Sequence, residues 1–435
     1  MSPELIGLLC IILLFVLLLL RVPVGMSLLL VGFLGYIAIS NLSVANAQLG
    51  ISGFGTASSH SLSVMPMFIL MGLFLSFSGL AKELFKAVDS WVGHFRGGLG
   101  MATIGAAAIF SSISGSSSAT TATLARIAIP EMSQYKYHPQ LSSATVAVGG
   151  TLGFLIPPSV ILILYGVLTH EPIGPLLIAG LLPGIIMAFM FMVTIYIQIR
   201  RNPSLAPVNA DVMPFKERFK SLSTIWPFLL IFLLSIGGIY LGIFTPTEAG
   251  GVGALGALVV SIMTKRMNWK NFVESLGESV RLTAMIFLIL IGANLFAQFL
   301  AKSRIPTGIT QTITSLEVSP YVILFGILFV LFILGLFMEG IAILVLTLPI
   351  IYPLVMELGF NGIWFGVIIV MVINMGLITP PLGINVFIIN GVARDIPIPT
   401  IFRGVIPMLV TMLIFTVLLV IFPDVVLLLP NIMNG

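Results

Sequence analysis

The sequence encodes an all-α polytopic membrane protein of about ten spans. Composition, the spacing of its apolar runs and the placement of its basic residues each point there. Hydrophobic residues make up 58% of the 435 and charged residues only 8%, whereas soluble domains carry roughly 25% charged residues. Mean hydropathy is +1.19. Apolar segments fall at about 4–20, 23–40, 63–80, 98–130, 140–169, 176–199, 224–243, 246–264, 281–301, 321–353, 361–392 and 405–425. Most approach the ~20 residues that one crossing needs. The acidic start "MSPELIGLLCIILL" reads as a first membrane helix rather than a cleaved signal. The one cysteine, Cys10, excludes an internal disulfide.

Four segments exceed one crossing and carry interruptions. Segment 98–130 contains "SSISGSSSATTAT" and 321–353 contains "GLFMEG"; runs so polar or glycine-rich suit the tips of re-entrant hairpins. With both segments as hairpins and the loop after Arg200 in the cytoplasm, sixteen of the 19 basic residues, from Arg21 to Arg403, face the cytoplasm. Lys302 and Arg304 face outside and Arg126 lies within a hairpin, a strong positive-inside bias. If either segment crossed fully, every later loop would change sides and the bias would collapse.

The other two long segments, 140–169 and 361–392, contain "GFLIPPS" and "GLITPPLG". Proline has no N–H and costs a helix interior about 3 kcal/mol, so both helices are expected to break. Gly153, Pro157 and Pro158 recur as Gly376, Pro380 and Pro381 at an offset of 223, and Glu171, Pro175, Gly180 and Pro183 as Asp395, Pro399, Gly404 and Pro407 at 224. Pro23 pairs with Pro246, Pro130 with Pro353 at the end of each hairpin, and "LAK" at 80–82 recurs at 300–302. This ladder of matches predicts a duplication: repeats at 1–203 and 223–435, joined by an interfacial linker at 204–222 whose Lys216, Arg218 and Lys220 would meet membrane lipid headgroups. Five crossings and one hairpin per half force opposite orientations. That is the inverted plan of secondary transporters, whose sites form at discontinuous helices.

The breaks supply the candidate chemistry. Carbonyls freed at Gly153, Phe154, Gly376 and Leu377 can meet a hard cation where they line a cavity. Half-helices expected to begin at Ser159 and Leu382 point positive dipole ends inward, which suits an anion. Six serines between Ser111 and Ser118 exceed what capping a turn requires. Thr120, Thr121 and Thr123 are read as packing and interhelical bonds. Glu339 is an intramembrane carboxylate and so a functional candidate, while Thr379 and Asn385 flank the second break as oxygen donors; Asn374 and Asn294 are weaker candidates. Arg126 can snorkel to the surface or meet an anion. Thr245-Pro246-Thr247-Glu248 reads as a capping box, and Gly251-x-Gly253-x-x-Gly256 as helix packing rather than a dinucleotide fingerprint, having no strand before it. The four histidines are isolated, and neither a catalytic constellation nor a phosphate-binding G-x-x-x-x-G-K-[ST] loop occurs. No enzyme activity, organic cofactor or nucleic-acid partner is expected.

The set "ISGSSSAT", "IPEM", "LIPPSVILILYG", "TPTEAG", "GLFMEG" and "ITPPLGINVFIING" resembles, across essentially the whole chain, the large membrane subunit (DctM-like) of tripartite ATP-independent periplasmic (TRAP) transporters. The resemblance implies a scaffold and a mobile transport domain carrying both hairpins, working as a sodium-driven elevator in the bacterial inner membrane. It implies a small membrane subunit of about four helices, a periplasmic substrate-binding protein, and a small organic anion as substrate. By the same resemblance Ser114, Gly115, Ser116, Gly153, Pro157 and Pro158 form a first sodium site. Met338, Glu339, Gly340, Gly376, Thr379, Pro380 and Pro381 form a second. Ser117, Ser159, Asn385 and Arg126 are the expected substrate contacts. Relatives often carry Asp at the second tip, where this chain has Glu339, and an acidic residue where it has "SATTATLAR". A stand-alone sodium- or proton-coupled carrier and an ion channel are the alternative readings.

Overall fold

A computed structural model describes residues 2–207, 214–315 and 318–434, so part of the expected linker lies outside the described residues. The described residues contain helices and no strand. In chain order they are α1 (Pro3–Leu19), α2 (Val24–Ile39), α3 (Leu42–Ala57), α4 (Val64–Phe77), α5 (Leu80–Val92), α6 (Gly98–Ser114), α7 (Ser117–Gln134), α8 (Pro139–Thr151), α9 (Val160–Thr169) and α10 (Ile173–Arg201). There follow α11 (Phe215–Phe232), a π-helical turn (Leu233–Gly237) running into α12 (Gly238–Tyr240), α13 (Pro246–Met263), α14 (Trp269–Ser303) and α15 (Ile305–Thr314). The chain finishes with α16 (Pro320–Gly335), α17 (Gly340–Glu357), α18 (Gly362–Gly376), α19 (Ile384–Val392), α20 (Ile398–Ile421) and α21 (Asp424–Asn434). Six of these, with α4 counted from His60, are long and apolar enough to cross a membrane.

The second half repeats the element order of the first. Starts at Val24, Gly98, Ser117, Pro139, Val160 and Ile173 correspond to Pro246, Pro320, Gly340, Gly362, Ile384 and Ile398, which are 222, 222, 223, 223, 224 and 225 residues later.

Two helix pairs joined by short turns, α6–α7 and α16–α17, approach the middle of the molecule from opposite ends of α10. At 29 residues, α10 is about 43 Å long. Its Arg201 end meets the open end of α6–α7: the His138 N–H donates to the Leu205 carbonyl at 2.9 Å, and a Cβ on Gly100 would touch Ile195 at 3.4 Å. Its Ile173 end meets the open end of α16–α17. There the Tyr352 hydroxyl donates to Glu171 Oε1 at 2.6 Å, and that of Tyr165 to the Gly362 carbonyl at 2.7 Å. Both pairs outlast their prolines: α7 runs through Pro130 and α17 through Pro353. Each hairpin therefore ends a turn beyond the proline expected to close it.

Close packing of backbones explains many glycines. A Cβ on Gly292 of α14 would press against the Gly25 carbonyl oxygen and, at 3.0 Å, the Leu29 nitrogen of α2. Gly253 of α13 lies under the Met71 sulfur of α4, so the Gly-rich run is a packing face, as expected. The expected capping box is present: the Thr245 N–H donates to Glu248 Oε2 at 2.8 Å, and the Glu248 N–H to Thr245 Oγ1 at 3.3 Å.

Helix α5 packs between α6 of the first hairpin and α11. Leu80, Leu84 and Phe85 are buried while Lys82 and Lys86 are exposed. It is tied to α11 through Trp91 Nε1 donating to the Arg218 carbonyl at 3.2 Å and Ser90 paired with Ser221 at 2.6 Å. Glu83 pairs with Arg266 beyond α13. Toward the first hairpin, Asp89 keeps a buried oxygen without a hydrogen-bond partner. Burial, and then the like charge of Glu131 on α7, push its carboxyl up to about 6.

Gly292→Val is expected to destabilise the protein by roughly 1–3 kcal/mol, since α2 cannot yield without opening its seam. Gly277→Ala on the same helix, with open space around it, is expected to be neutral or to raise the melting temperature. Thermal unfolding of the two variants checks both.

The folded state binds the Asp89 proton more tightly than the unfolded chain, so this site loses stability as pH rises from about 4 to about 6. Asp89→Asn is therefore expected to stabilise the protein by about 1–2 kcal/mol at pH 7.5 and to make no difference near pH 4. Melting curves across that range test it.

Candidate functional site

Each hairpin tip is hydrogen-bonded into one broken helix. At the first, α6 ends on Gly115, whose φ of 59° needs glycine, and Ser116 caps α7 by accepting from the Ala119 N–H at 3.3 Å. The Gly115 carbonyl accepts from the Val160 N–H at 3.3 Å. A Cβ on Gly153 would stand 2.6 Å from the Ser116 oxygen, so the tip lies backbone to backbone against the last turn before Pro157 and Pro158.

The second half repeats this contact. The Leu336 carbonyl accepts from the Leu382 N–H at 3.3 Å, and Gly335 packs directly on Gly376. Both Pro-Pro bonds, Pro157–Pro158 and Pro380–Pro381, are cis. The half-helices begin one and two residues later than expected: Ser159 caps α9, and Gly383, at φ 50°, precedes α19.

The carbonyls freed by the prolines are partly re-paired. Phe154 O accepts from the Ser159 hydroxyl at 2.6 Å, Gly376 O from the Thr379 N–H at 3.2 Å, and Leu377 O from the Asn385 N–H at 3.1 Å. Each carbonyl has a second lone pair for a cation or water. Three buried oxygens in and beside the tips lack any partner: Ser111 Oγ and Thr121 Oγ1 in the first hairpin, and Asn374 Oδ1 on the turn before the second break. Such orphans are costly in a dry interior and fit a hard cation that needs oxygens.

Around the tips a cavity of about 270 Å³ is lined by Ser114, Gly115, Ser116, Ser118, Glu339 and Ile341, by Phe154 and Val160 of the first break, and by α4 and α14. Glu339 opens into this cavity, whereas Thr379, Pro380 and Pro381 do not line it. The carboxylate expected beside the second break therefore faces the first tip. Glu339 stands at the start of α17 without bonding that helix's N–H groups.

The expected substrate contacts separate. Asn385 Nδ2 donates to Ser117 Oγ at 3.0 Å and to the Ala147 carbonyl at 3.1 Å, and both side chains are fully buried. They lock the first hairpin, α8 and α19 together instead of facing the cavity. Ser159 is likewise buried and occupied in capping, its Oγ accepting from Leu162 N–H at 3.3 Å. Arg126 is exposed, nine residues along α7 from Ser117, about 13 Å away along the axis. It does not line the cavity at the tips.

Asn294 is also structural, donating to Thr56 Oγ1 at 3.0 Å across α14 and α3. Ser114 pairs with Thr120 at 2.7 Å within the hairpin. A wider cavity of about 810 Å³, on the face away from Arg201, brings His60 and His170 to one space with Glu171 and Thr245; their distance in sequence hid that meeting. Among the described residues no three side chains are grouped as metal ligands.

Comparison with known proteins places this geometry. The family model described as "Tripartite ATP-independent periplasmic transporter, DctM component" matches residues 11–425. The C4-dicarboxylate TRAP transporter large permease protein DctM of Pseudomonas aeruginosa is 37% identical over 387 residues, covering 88% of this chain and 89% of that protein. The sialic acid TRAP transporter large permease protein SiaM of Vibrio cholerae is 33% identical over 416 residues, covering 95% and 96%. The isethionate TRAP transporter permease protein DctMQ of Oleidesulfovibrio alaskensis is 31% identical over 395 residues, covering 90% of this chain and 61% of that longer protein. Among solved structures, the YdaH transporter of Alcanivorax borkumensis aligns with a TM-score of 0.65 at 16% identity, covering 88% of this chain and 89% of that one; this likeness is one of fold. A family model spanning nearly the whole chain, and relatives above 30% identity along most of it, establish that this protein belongs to the DctM component family, the large permease subunits of tripartite ATP-independent periplasmic transporters.

Proposed function

We propose that this permease imports a small organic anion across the bacterial inner membrane by sodium symport, the two halves forming an inverted repeat whose hairpin-bearing part moves as an elevator. The observation that carries the reading is the tip-to-break contact made twice, Gly115 to Val160 and Leu336 to Leu382. Each contact brings backbone oxygens and helix N-termini together, and at the first of them Gly184 of α10 packs on Ile156. Discontinuous helices offering oxygens to a cation and dipole ends to an anion are the working parts of secondary transporters.

In this reading the first sodium ion sits between the Ser114–Ser116 tip and Gly153–Pro158. The second sits between Met338–Gly340 and Gly376–Pro381, with Asn374 Oδ1 close by, while the Glu339 carboxylate stands toward the cavity between the tips. A periplasmic binding protein would deliver the substrate and a small membrane subunit would complete the permease. Relatives named for C4-dicarboxylate, sialic acid and isethionate support an organic acid as the cargo class.

Melting of the purified protein in sodium against choline, at equal ionic strength, tests the cation sites. Sodium at 100 times its dissociation constant is expected to add about 2.7 kcal/mol. Ser114→Ala and Asn374→Leu are each expected to raise the half-saturating sodium concentration about tenfold, the value of one lost ligand of about 1.4 kcal/mol. Equal melting in choline, or unchanged half-saturation in both variants, would contradict these sites.

A further inference from the structure

The two broken helices are alike in sequence and unlike in cover. In the first half the break and the half-helix after it are closed in, with Ser159 and Ile163 fully buried. Their counterparts 223 and 224 residues later, Leu382 and Phe387, are 43% and 44% exposed. One turn past Phe387 on α19, a Cβ on Gly391 would meet open space.

The difference traces to one missing neighbour. Helix α9 packs on α17, α18 and α10, and also on α4. Helix α19 packs on the corresponding α7, α8 and α20. The counterpart of α4 is α14, because the "LAK" that follows α4 recurs in the last turn of α14. Helix α19 makes no comparable contact with α14, so the face that α4 covers on α9 stays open on α19.

Lipid cannot fill that opening at the break. Among the described residues no backbone N–H donates to the carbonyls of Thr379, Pro380 or Pro381. The 15 residues of α18 set the break about 22 Å from the Gly362 end, and the nine of α19 set it about 13 Å from the Val392 end. It therefore lies inside a hydrocarbon layer of about 30 Å. Non-helical backbone at such depth must be buried in protein or face water, and Pro380 and Pro381 are exposed. Arg394, two residues past α19, marks the cytoplasmic end of this face. From Leu382 to Ala393 the chain carries no charged side chain, so this wall has no fixed charge to hold a passing cation.

We propose that a water-filled cleft between α19 and α14 joins the second cation site to the cytoplasm, and that the sodium ion held at Gly376–Pro381 leaves by it. The buried first break has no such route. This rests on the transport reading above and gives its second cation site an exit. An ion leaving the oxygens of the break needs hydration at every step, which the free carbonyls and the water of the cleft supply.

Single cysteines, Leu382→Cys, Phe387→Cys and the closed counterpart Ile163→Cys, in a Cys10→Ser background, are treated with a membrane-impermeant cationic methanethiosulfonate. Inverted membrane vesicles and intact cells read the two sides, and sodium-raised melting of each variant shows that it is folded. Positions 382 and 387 are expected to react only in inverted vesicles, at least about tenfold faster than position 163, because the reacting thiolate forms in water and not in an apolar interior. Sodium against choline is expected to slow the reaction at position 382, with half-slowing at the concentration that half-saturates melting. Adding Asn374→Leu is expected to raise that concentration about tenfold. Reaction at 382 and 387 no faster than at 163 overturns the proposal, whether lipid or a partner subunit covers the face, and so does reaction from outside. Cytoplasmic reaction without slowing by sodium, in a protein whose melting sodium raises, overturns the route for the ion. Equal melting in sodium and choline removes the cation site itself, and with it the transport reading.

Discussion

The structure depends on one constraint: a backbone broken inside an apolar layer must find partners within the protein. Two consecutive prolines remove donors from each broken helix, and the hairpin tips supply part of the repair. Val160 and Leu382, the first residues with free N–H groups beyond each Pro-Pro pair or close to it, are bonded to tip carbonyls. Side chains supply more, as the Ser159 hydroxyl does for Phe154. A hairpin tip and a broken helix are therefore one unit in each half.

That unit is built differently in the two halves. The first break is buried from Gly153 to Ser159, because Gly180 and Gly184 let α10 press onto Leu155 and Ile156. At the second break Pro380, Pro381 and Leu382 are exposed, since α20 turns its glycine, Gly404, toward Gln140 of α8 instead. The equivalent glycine thus covers its own half's break in one repeat and braces the other half in the second. Asn385, bonded to Ser117 and Ala147, is the polar pin of that brace. These cross-half contacts tie the first hairpin and α8 to α19 and α20 of the second half.

Much of this was legible in the sequence, and the limits have physical causes. Pro-Pro pairs, glycine spacing and the constant offset marked both breaks and both tips, because backbone constraints leave their mark on particular residue types. Helices α3, α5 and α15 escaped a reading based on apolar runs. In α5, Lys82, Glu83, Lys86 and Asp89 alternate with the buried Leu80, Leu84 and Phe85, so its mean hydropathy is low although one side is packed. The candidate site residues meet as a neighbourhood around the tips and breaks, while several of them have their hydrogen bonds used elsewhere. Ser117, Ser159 and Asn385 have the chemistry of ligands, yet their hydrogen bonds are used within the protein. Which way Glu339 faces depends on how the second hairpin meets the first, and a linear pattern does not carry that.

The central claim is that the hairpins enter from opposite faces and meet at the breaks. Single cysteines placed at Gln134 and at Phe360, in a background with Cys10 replaced by serine, mark the open end of each hairpin. Labelling intact cells and inverted membrane vesicles with a membrane-impermeant maleimide reads their sides. The account predicts reaction at position 134 only in inverted vesicles and at position 360 only in intact cells. Labelling of both positions from the same side would contradict it.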